Sequence, residues 1–285
     1  ACLTTSGPGT INLATGVSLA YKGHAPVIVI AGDTASEYIH RDGAQAFDLV
    51  GIFKPFTNMA VQVNQTQRIP EMMRRAYTHL RSGRRGPVMV QVPGDVARDE
   101  LPEEDFEYRP VAGYKTAGDP DDISEAVKML LGASNPLIYA GQGILWAEAS
   151  KELQELAELA NVPVMTTNTG KSAFPENHPL SLGSGGNTYP KAVNDFLNNA
   201  DLVFGIGCSL TRSNYARTIP PGKVIIHSTN DASDINKDYP ADYALIGDSK
   251  LVLSSLIEEI KTITKGIGNK NNAGIAQEVL AIKKE

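Results

Sequence analysis

The sequence predicts an α/β protein built from two doubly wound units, each with a mainly parallel sheet. Short apolar runs the length of a strand, such as Val27–Ala31 and Pro87–Val92, recur along the chain. Stretches with a helical spacing of apolar residues, such as Met72–Leu80, lie between them. Strands that alternate with helices are typical of parallel sheets covered by helices on both faces. The length of 285 residues fits two domains, at roughly 150 residues for each.

In the first unit, the run Val27–Ala31 is apolar throughout, which predicts a strand buried on both faces. The helix over Met72–Leu80 runs into a Ser-Gly pair, a typical helix end. The next strand, Pro87–Val92, is stopped by the turn residues Pro, Gly and Asp. The first residues, from Ala1 onward, are typical of the end of a strand, so we expect the chain to begin inside a domain.

The second unit opens with a predicted strand, Pro136–Ala140, and the tight turn Gly141–Gly143. A helix is predicted over Trp146–Ala160, because its apolar residues recur on one stripe. The remaining elements alternate between strand and helix. They are Val162–Thr166, Ala192–Asn199, Leu202–Ile206, Val224–His227, Tyr243–Ile246 and Lys250–Ile263.

Four segments are expected along the chain. Residues 1–100 and 122–263 form the two units, and the acidic, proline-containing stretch 101–121 links them. Residues 264–285 begin with Gly, Asn and Lys, which indicates a second linker, followed by a short helix-like stretch. We therefore expect the chain to stop where a further domain would begin.

The composition excludes several classes of protein. The net charge is −6, so a general nucleic-acid binder is not expected, because phosphate binding favours a basic face. Cys2 and Cys208 are too few for a disulfide scaffold or a four-cysteine zinc site, and they favour a reducing, cytoplasmic location. No apolar run reaches the roughly 20 residues of a membrane helix. No spacing of metal ligands and no nucleophile elbow is present.

Two glycine motifs follow predicted strands. Gly141 and Gly143 invite a dinucleotide interpretation, but Trp146 stands in place of the third glycine, so a plain strand-to-helix turn is favoured. The second motif places a proline between Gly7 and Gly9, just before a helix, where the backbone can approach a flat ligand. The alternative for that motif is a simple helix start capped by its serine. Taken alone, the motif leaves both interpretations open.

The order of several motifs resembles the thiamine-diphosphate-dependent enzymes of the acetolactate synthase group. The resemblance covers practically the whole chain. In the first unit the motifs are Ser6-Gly7-Pro8-Gly9-x-x-Asn12, Ala25-Pro26-Val27 with Ala31-Gly32, Asp42-Gly43-Ala44-Gln45, Ser82-Gly83-Arg84-Arg85-Gly86-Pro87-Val88 and Val92-Pro93-x-Asp95. In the second they are Ala140-Gly141-x-Gly143, Val162-Pro163-Val164, Gly170-Lys171, Phe174-Pro175-x-x-His178-Pro179-Leu180, Ala200-Asp201-Leu202-Val203, Ile226-His227 and Gly247-Asp248.

The resemblance implies that the first unit is the C-terminal part of a pyrimidine-binding domain. Pro8, Gly9, Asn12 and Gln45 would then border thiamine diphosphate, and Gln45 would act in catalysis. The family's catalytic glutamate lies upstream of the serine-glycine-proline motif. Its magnesium and diphosphate motif, Gly-Asp-Gly, belongs to a downstream domain. We therefore expect this chain to be inactive alone.

The resemblance also implies a nucleotide site for FAD or ADP in the second, central unit. The strand-end residues that would form it are Gly185, Gly186, Asn187, Gly207, Cys208, Ser209, Asn230 and Asp231. Arg84 matches the arginine that touches the flavin in some members. Ser209 replaces a phosphate-binding arginine and Thr229 replaces an aspartate, and both changes weaken the case for flavin. Ala44 and Ala46 replace the family's Phe and Glu, which weakens the case for acetolactate as product.

The function implied is that of a decarboxylase or carboligase acting on a 2-keto acid, in a homodimer or homotetramer. In an alternative the central unit is an FAD- or ADP-binding structural or regulatory module. In a further alternative it binds no nucleotide and is an oligomer scaffold. Among the histidines, His40 lies in the loop before Gln45 and could face a substrate. The other histidines, His24, His79, His178 and His227, are expected at the surface or in packing roles.

Overall fold

The computed structural model describes residues 1–101, 109–269 and 274–284. The chain forms two compact units, Ala1–Tyr114 and Lys115–Glu285. The division falls inside the predicted linker 101–121, of which residues 102–108 lie outside the described residues. In the second predicted linker, residues 270–273 and 285 also lie outside them.

The first unit has one described sheet, whose strands run in the order β1-β2-β4-β3 and are parallel throughout. Its strands are β1 (Cys2–Thr4), β2 (Ile28–Asp33), β3 (Met59–Gln62) and β4 (Val88–Pro93). Its helices are α1 (Pro8–Ile11), α2 (Ala14–Lys22), α3 (Leu49–Phe53), α4 (Ile69–Arg81) and α5 (Gly94–Arg98).

The apolar runs of this unit lie where the sequence predicts them, in the two central strands. Val29 of β2 and Met89 of β4 are fully buried against α3, where Leu49 and Phe53 cover one face of the sheet. Helix α4 covers the other face with an apolar stripe that includes Ala76. Strand β3 is not predicted from the sequence, because its four residues are only half-buried and its apolar run, residues 59–61, is only three residues long.

The second unit has a described sheet of six parallel strands in the order β10-β9-β8-β5-β6-β7. Its strands are β5 (Pro136–Ala140), β6 (Val164–Thr166), β7 (Ser181–Ser184), β8 (Leu202–Ile206), β9 (Val224–Thr229) and β10 (Tyr243–Ile246). Its helices are α6 (Pro120–Gly132), α7 (Gly143–Trp146), α8 (Ser150–Ala160), α9 (Lys191–Asn199), α10 (Ser249–Thr264) and α11 (Ile275–Lys284).

Helices cover both faces of this sheet. α6, α8 and α10 pack on one face, and α9 and α11 pack on the other, with buried apolar residues from all five. The prediction of doubly wound, mainly parallel units is therefore confirmed. Helix α11 lies in the segment that the sequence assigns to a linker, yet its Val279 is fully buried against the second face. That part of the segment thus packs as a component of the second unit.

The predicted helix Trp146–Ala160 is wrong at its start. α7 ends at Trp146, and a new helix, α8, begins at Ser150. Between them Glu148 adopts a φ of 56°, in the left-handed region that interrupts a right-handed helix. The apolar spacing continues through the break, because Ala147 and Ala149 are both buried. The spacing of apolar residues alone therefore predicts one helix where the structure has two.

The strand order of the second unit reverses between β5 and β8, and the loops that follow these strands touch. The amide of Gly141 donates to the carbonyl of Ile206 at 2.9 Å, and the amide of Gly143 donates to that of Gly207 at 2.7 Å. A Cβ atom at Gly143 would lie 2.7 Å from Cα of Gly207. Gly141 and Gly143 therefore permit the two loops to approach each other. This is the structural role that the sequence favours for the Gly-Gln-Gly turn.

We expect Gly141→Ala to destabilise the second unit, because the added Cβ would lie 2.7 Å from Cα of Cys208. The clash could be relieved only by a shift of the backbone. Such overpacking costs about 1–3 kcal/mol. Gly132→Ala is the matched control: nothing lies within 4 Å of its added Cβ at the end of α6. Alanine there is expected to stabilise by about 0.5–1 kcal/mol. Urea unfolding followed by circular dichroism measures both, and equal stability of the two variants would contradict the packing role.

Candidate functional site

The loops that follow β1 and β2 meet at the carboxyl edge of the first sheet. Gly7 has a φ of 58°, and a Cβ atom there would lie 2.7 Å from the carbonyl oxygen of Gln45. The hydroxyl of Ser6 donates to the side-chain oxygen of Gln45 at 2.8 Å. The structure thus brings the serine-glycine-proline motif against Gln45, although 39 positions separate Ser6 from Gln45 in sequence.

The other candidates in this region flank the same contact. Pro8 and Gly9 lie in α1, directly after Gly7, and Asn12 follows the last turn of α1. The side chains of Pro8, Asn12 and Gln45 are exposed, so the ring of Pro8 and the amide groups of Asn12 and Gln45 remain accessible to a ligand. Two amide side chains that both donate and accept hydrogen bonds suit a polar heterocycle with a donor and acceptors on one edge.

The alternative interpretation of the glycine motif, a helix start capped by its serine, is wrong. Ser6 does not cap α1, because Gly7 occupies the N-cap position and no side chain caps it. Gln45 does not cap the helix that follows, because α3 begins only at Leu49. The carboxylate of Asp48 caps it by accepting from the amide of Gly51 at 2.8 Å.

A carboxylate that the sequence analysis missed organises the ends of three neighbouring strands. Oδ2 of Asp33 accepts hydrogen bonds from the side-chain amides of Gln62, at 3.0 Å, and Gln91, at 2.5 Å. Oδ1 accepts from the backbone amide of Thr34 at 2.8 Å. Gln91 is only 2% exposed. The signal in the sequence is a glutamine inside an otherwise apolar strand, which requires a partner when it is buried.

A second carboxylate ties the loop after β2 to the end of β4. Asp95 accepts from the backbone amide of Ser36 at 2.9 Å and from its hydroxyl at 3.1 Å. These hydrogen bonds favour the charged form and lower the pKa of Asp95. The loop that carries Gln45 is therefore anchored at its start by Asp33 and Asp95, and at its far end by Ser6.

Arg84 lies at the opposite edge of the first sheet. It precedes β4, and His24 precedes β2, so both lie at the amino ends of parallel strands. Nη2 of Arg84 is 3.1 Å from Nε2 of His24, and the side-chain amide of Asn58 donates to the Arg84 carbonyl at 2.9 Å. The structure therefore does not bring Arg84 together with Gln45 or the glycine motif.

In the second unit, the candidate residues all follow strands at the carboxyl edge. Gly185, Gly186 and Asn187 follow β7, Gly207, Cys208 and Ser209 follow β8, and Asn230 and Asp231 follow β9. The segment after β8 returns to the loop after β7. The amide of Arg217 donates to the Gly185 carbonyl at 2.9 Å, and the side chain of Asn168 donates to the Tyr215 carbonyl at 3.1 Å. The sequence analysis named neither Arg217 nor Asn168.

Cys208 has a packing role at this edge. Its thiol contacts the carbonyl oxygen of Tyr139 at 3.6 Å, and burial raises the pKa of the thiol to about 12. Its own carbonyl accepts from Nε2 of His227 at 2.8 Å. Burial lowers the pKa of His227, so the neutral imidazole is favoured as this donor. A thiol with a pKa this high is a poor nucleophile at neutral pH.

The remaining histidines occupy ordinary positions. His178 accepts from the amide of Leu180 at 3.1 Å, lies 2.9 Å from Glu158 and packs edge-on against Phe174, in agreement with a packing role. His40 and His79 are exposed. Across the described ranges, no group of three or more His, Cys, Asp or Glu side chains could hold a metal ion. None of the described helices has the length and apolarity needed to cross a bilayer.

Both units present candidate ligand groups at the carboxyl edge of a parallel sheet, the usual position of ligand sites in this class of α/β protein. Family profiles divide the chain in the same way. The profile of the thiamine pyrophosphate enzyme N-terminal TPP-binding domain matches residues 1–52. The profile of the thiamine pyrophosphate enzyme central domain matches residues 123–256. The chain therefore belongs to the thiamine pyrophosphate enzymes, which confirms the resemblance.

Curated relatives are similar along most of the chain. A probable acetolactate synthase large subunit of Methanocaldococcus jannaschii is 38% identical over 266 residues, 90% of this chain and 44% of the relative. One from Methanococcus aeolicus is 35% identical over 281 residues, 95% of this chain and 46% of the relative. The glyoxylate carboligase of Escherichia coli O157:H7 is 33% identical over 93% of this chain and 45% of its own length. The chain spans about half the length of these relatives.

Solved structures share the fold. Benzoylformate decarboxylase from Polynucleobacter necessarius superposes with a TM-score of 0.82 at 23% identity, over 96% of this chain and 50% of that one. A putative thiamin diphosphate-dependent enzyme from Mycobacterium smegmatis superposes with a TM-score of 0.80 at 24% identity, over 90% of this chain and 50% of that one. At this identity the likeness establishes the fold alone.

We expect Asp33→Asn to destabilise the first unit, because an amide in place of the carboxylate would present N–H groups to the donors of Gln62 and Gln91. Leaving buried donors unsatisfied costs about 1–3 kcal/mol. Asp48→Asn is the matched control, since asparagine caps a helix as well as aspartate does. Chemical denaturation of both variants tests this, and a stable Asp33→Asn variant would show that the carboxylate is dispensable.

Proposed function

We propose that the chain forms part of a thiamine-diphosphate-dependent decarboxylase or carboligase, a lyase or transferase acting on a 2-keto acid. The observation that carries the proposal is the contact of Ser6 and Gly7 with Gln45, which gathers the residues assigned to the cofactor at one sheet edge. The names of the relatives, acetolactate synthase and glyoxylate carboligase, support carbon–carbon chemistry on small keto acids. The case for acetolactate as the product is weaker, because Ala44 and Ala46 stand beside Gln45 where the family has Phe and Glu.

The residues present fit the pyrimidine end of thiamine diphosphate. The amides of Asn12 and Gln45 are exposed beside Pro8, where a planar ring with a polar edge can lie against the loop. When bound, the cofactor supplies the electron sink that decarboxylation of a 2-keto acid requires. Asn12 and Pro8 bind and orient the ring. Gln45, held by Ser6, orients the substrate carboxylate or hydroxyl with its free amide N–H groups.

We assign the remaining functions of the active site to parts of the protein beyond this chain. These are the glutamate that contacts the pyrimidine ring, the magnesium ion and the groups that hold the diphosphate. The chain's share is then one face of the pyrimidine pocket. A pocket completed by a second subunit requires a homodimer or homotetramer, with the edge of Pro8, Asn12 and Gln45 at the interface. A cytoplasmic location rests on the two cysteines, Cys2 and Cys208, which are both free thiols.

A second binding function, for FAD or ADP, is proposed for the central unit. The strand order reverses between β5 and β8, and ligands of open α/β sheets bind outside the strand ends near such a reversal. The polar loops that contain Gly185, Ser209 and Asp231 lie at that edge. A visible flavin spectrum, or adenine released on acid precipitation, would support a nucleotide over a scaffold that binds none.

In the full-length protein, we expect Gln45→Ala to lower turnover more than cofactor affinity. Loss of one positioned donor in a site that excludes water costs about 2.7–4 kcal/mol of transition-state stabilisation. Most cofactor affinity should come from the diphosphate and the metal. Gln67→Ala, at another exposed glutamine of the same unit, is the control and should leave turnover unchanged. Steady-state kinetics and cofactor titration test this. Equal losses in turnover and affinity would assign Gln45 to cofactor binding alone.

The 285-residue chain alone should show negligible turnover of 2-keto acids, even with added thiamine diphosphate and magnesium. Binding would rest on one face of the pyrimidine pocket. Carbon dioxide release by the purified chain and by the full-length protein measures the difference. Turnover by the short chain at a rate near that of the longer protein would contradict the assignment of the missing groups elsewhere.

A further inference from the structure

We propose that Asp95 is a positioning residue for Gln45, which it holds in place through Ser36 at the start of the loop that carries Gln45. This assignment rests on the role proposed above for Gln45 and adds the residue that determines where its side chain lies. Asp95 is the last residue of the motif Val92-Pro93-x-Asp95. It lies in the first turn of α5, directly after β4.

The loop that carries Gln45 comprises residues 34–48, between the end of β2 and the start of α3, and we call it the Gln45 loop. All residues between Ser36 and Gln45 are exposed except Ile39, which is half-buried. Burial of apolar side chains therefore contributes little to holding this part of the chain. Its position depends on the hydrogen bonds at its two ends and on those within it.

The first end of the Gln45 loop is bonded to Asp95. Oδ1 of Asp95 accepts from the backbone amide of Ser36 at 2.9 Å and from its hydroxyl at 3.1 Å. The two chain segments also touch, since a Cβ atom at Gly94 would lie 3.5 Å from the carbonyl oxygen of Asp33 and 3.8 Å from the backbone nitrogen of Ala35. Because β4 is a central strand of the sheet, Asp95 ties the loop to the interior of the unit.

A continuous series of backbone hydrogen bonds leads from this end of the loop toward Gln45. Four bonds form the series, and each begins at the residue where the preceding one ends. The amides of Tyr38, Arg41, Gly43 and Ala46 donate to the carbonyls of Ala35, Tyr38, Arg41 and Gly43, at 2.8, 3.1, 2.8 and 3.1 Å respectively. The loop is thus a row of linked tight turns. A displacement of Ser36 would therefore move Gln45 as well.

The far end of the Gln45 loop is held from the other side of β2. The hydroxyl of Ser6 donates to the side-chain oxygen of Gln45 at 2.8 Å, and a Cβ atom at Gly7 would lie 2.7 Å from the carbonyl oxygen of Gln45. Strand β2 lies between β1 and β4 in the sheet. Ser6 follows β1 and Asp95 follows β4, so the loop is tied to both neighbours of the strand from which it starts. Loss of the Asp95 contact would release one of these two ties.

The first test is steady-state kinetics of the full-length protein with Asp95→Ala or Ser36→Pro. Ser36→Pro removes both donors to Asp95, and proline suits the position, because Ser36 begins a 3₁₀ turn and Ala35 has a φ of −60° and a ψ of 149°. Each variant is expected to lower kcat by about tenfold, since a small displacement of a group that orients the substrate reduces turnover strongly. The dissociation constant of thiamine diphosphate is expected to change much less.

Two matched variants separate loss of the hydrogen bonds from loss of a side chain. Asp95→Asn is expected to retain most of the turnover, because both bonds from Ser36 end on Oδ1, an oxygen that the asparagine amide also provides. Asp99→Ala removes another exposed carboxylate, at the other end of α5, which accepts from the adjacent amide of Glu100 at 3.1 Å. It should leave turnover unchanged.

The route through Gln45 is tested by combining Asp95→Ala with Gln45→Ala. If Asp95 acts through Gln45, the double variant should turn over no more slowly than Gln45→Ala. Hydrogen–deuterium exchange of the 285-residue chain gives a second readout that needs no turnover. The backbone amides of residues 37–46 should exchange faster in Asp95→Ala than in the wild type or in Asp99→Ala. Circular dichroism checks the fold of each variant.

Four results would overturn the assignment of Asp95. They are wild-type turnover in both Asp95→Ala and Ser36→Pro, an equal loss in Asp99→Ala, additive losses in the double variant, or unchanged exchange in the Gln45 loop. Unchanged turnover in Gln45→Ala would also reject the role proposed for Gln45 itself. A loss in Gln45→Ala without one in Asp95→Ala would reject the positioning role alone, so the two failures are distinguishable.

Discussion

The candidate sites depend on one constraint, the parallel direction of the strands within each of the two described sheets. In a parallel sheet every strand ends at the same edge, so residues far apart in sequence are gathered there without any special contact. Ser6 follows β1 and meets Gln45, which lies beyond β2, while Asp95 follows β4 and holds Ser36 of the same loop. The same constraint separates Arg84 from these residues, because Arg84 precedes its strand. Arg84 and Gln45 thus belong to the same set of family motifs but lie at opposite edges of the sheet, and the direction of the chain alone accounts for this separation.

The sequence predicts most of the fold and only part of this edge. Largely apolar runs such as those of β2 and β4 are mostly buried, so composition alone locates them. β3 is half-buried at a sheet edge and leaves no such run, and the break at Glu148 depends on one backbone dihedral that periodicity does not report. For the candidate site, family motifs single out Gln45 and its neighbours as candidates, and the structure brings Gln45 against Ser6 and Gly7. The motifs did not locate Asp33, whose role depends on amides from two other strands.

Asp33 also illustrates how burial and specificity are linked in the first unit. A glutamine inside a buried strand costs free energy unless its amide is paired, and Gln91 is paired by a carboxylate that Gln62 shares. The carboxylate has its remaining oxygen on the amide of Thr34, so the start of the loop is fixed in one direction. The loop that leads from β2 to Gln45 therefore begins in a polar network. Such a network specifies the direction of the backbone more strictly than apolar packing does.

In the central unit, the loops at the carboxyl edge of the sheet pack against one another at two separate places. Gly141, Gly143 and Gly207 bring the loops after β5 and β8 into backbone contact, so these glycines serve the fold at the point where the strand order reverses. The chain beyond Gly207 is then free to extend sideways, and it does so as far as Gly185 at the end of β7. Its two arginines lie over aromatic rings: the guanidinium carbon of Arg212 is 4.5 Å from the ring centroid of Tyr239, and that of Arg217 is 5.3 Å from the ring centroid of Tyr189. Arg217 fixes the loop there, because its backbone amide bonds to Gly185 and its guanidinium group bonds to Asn194 and Asn198.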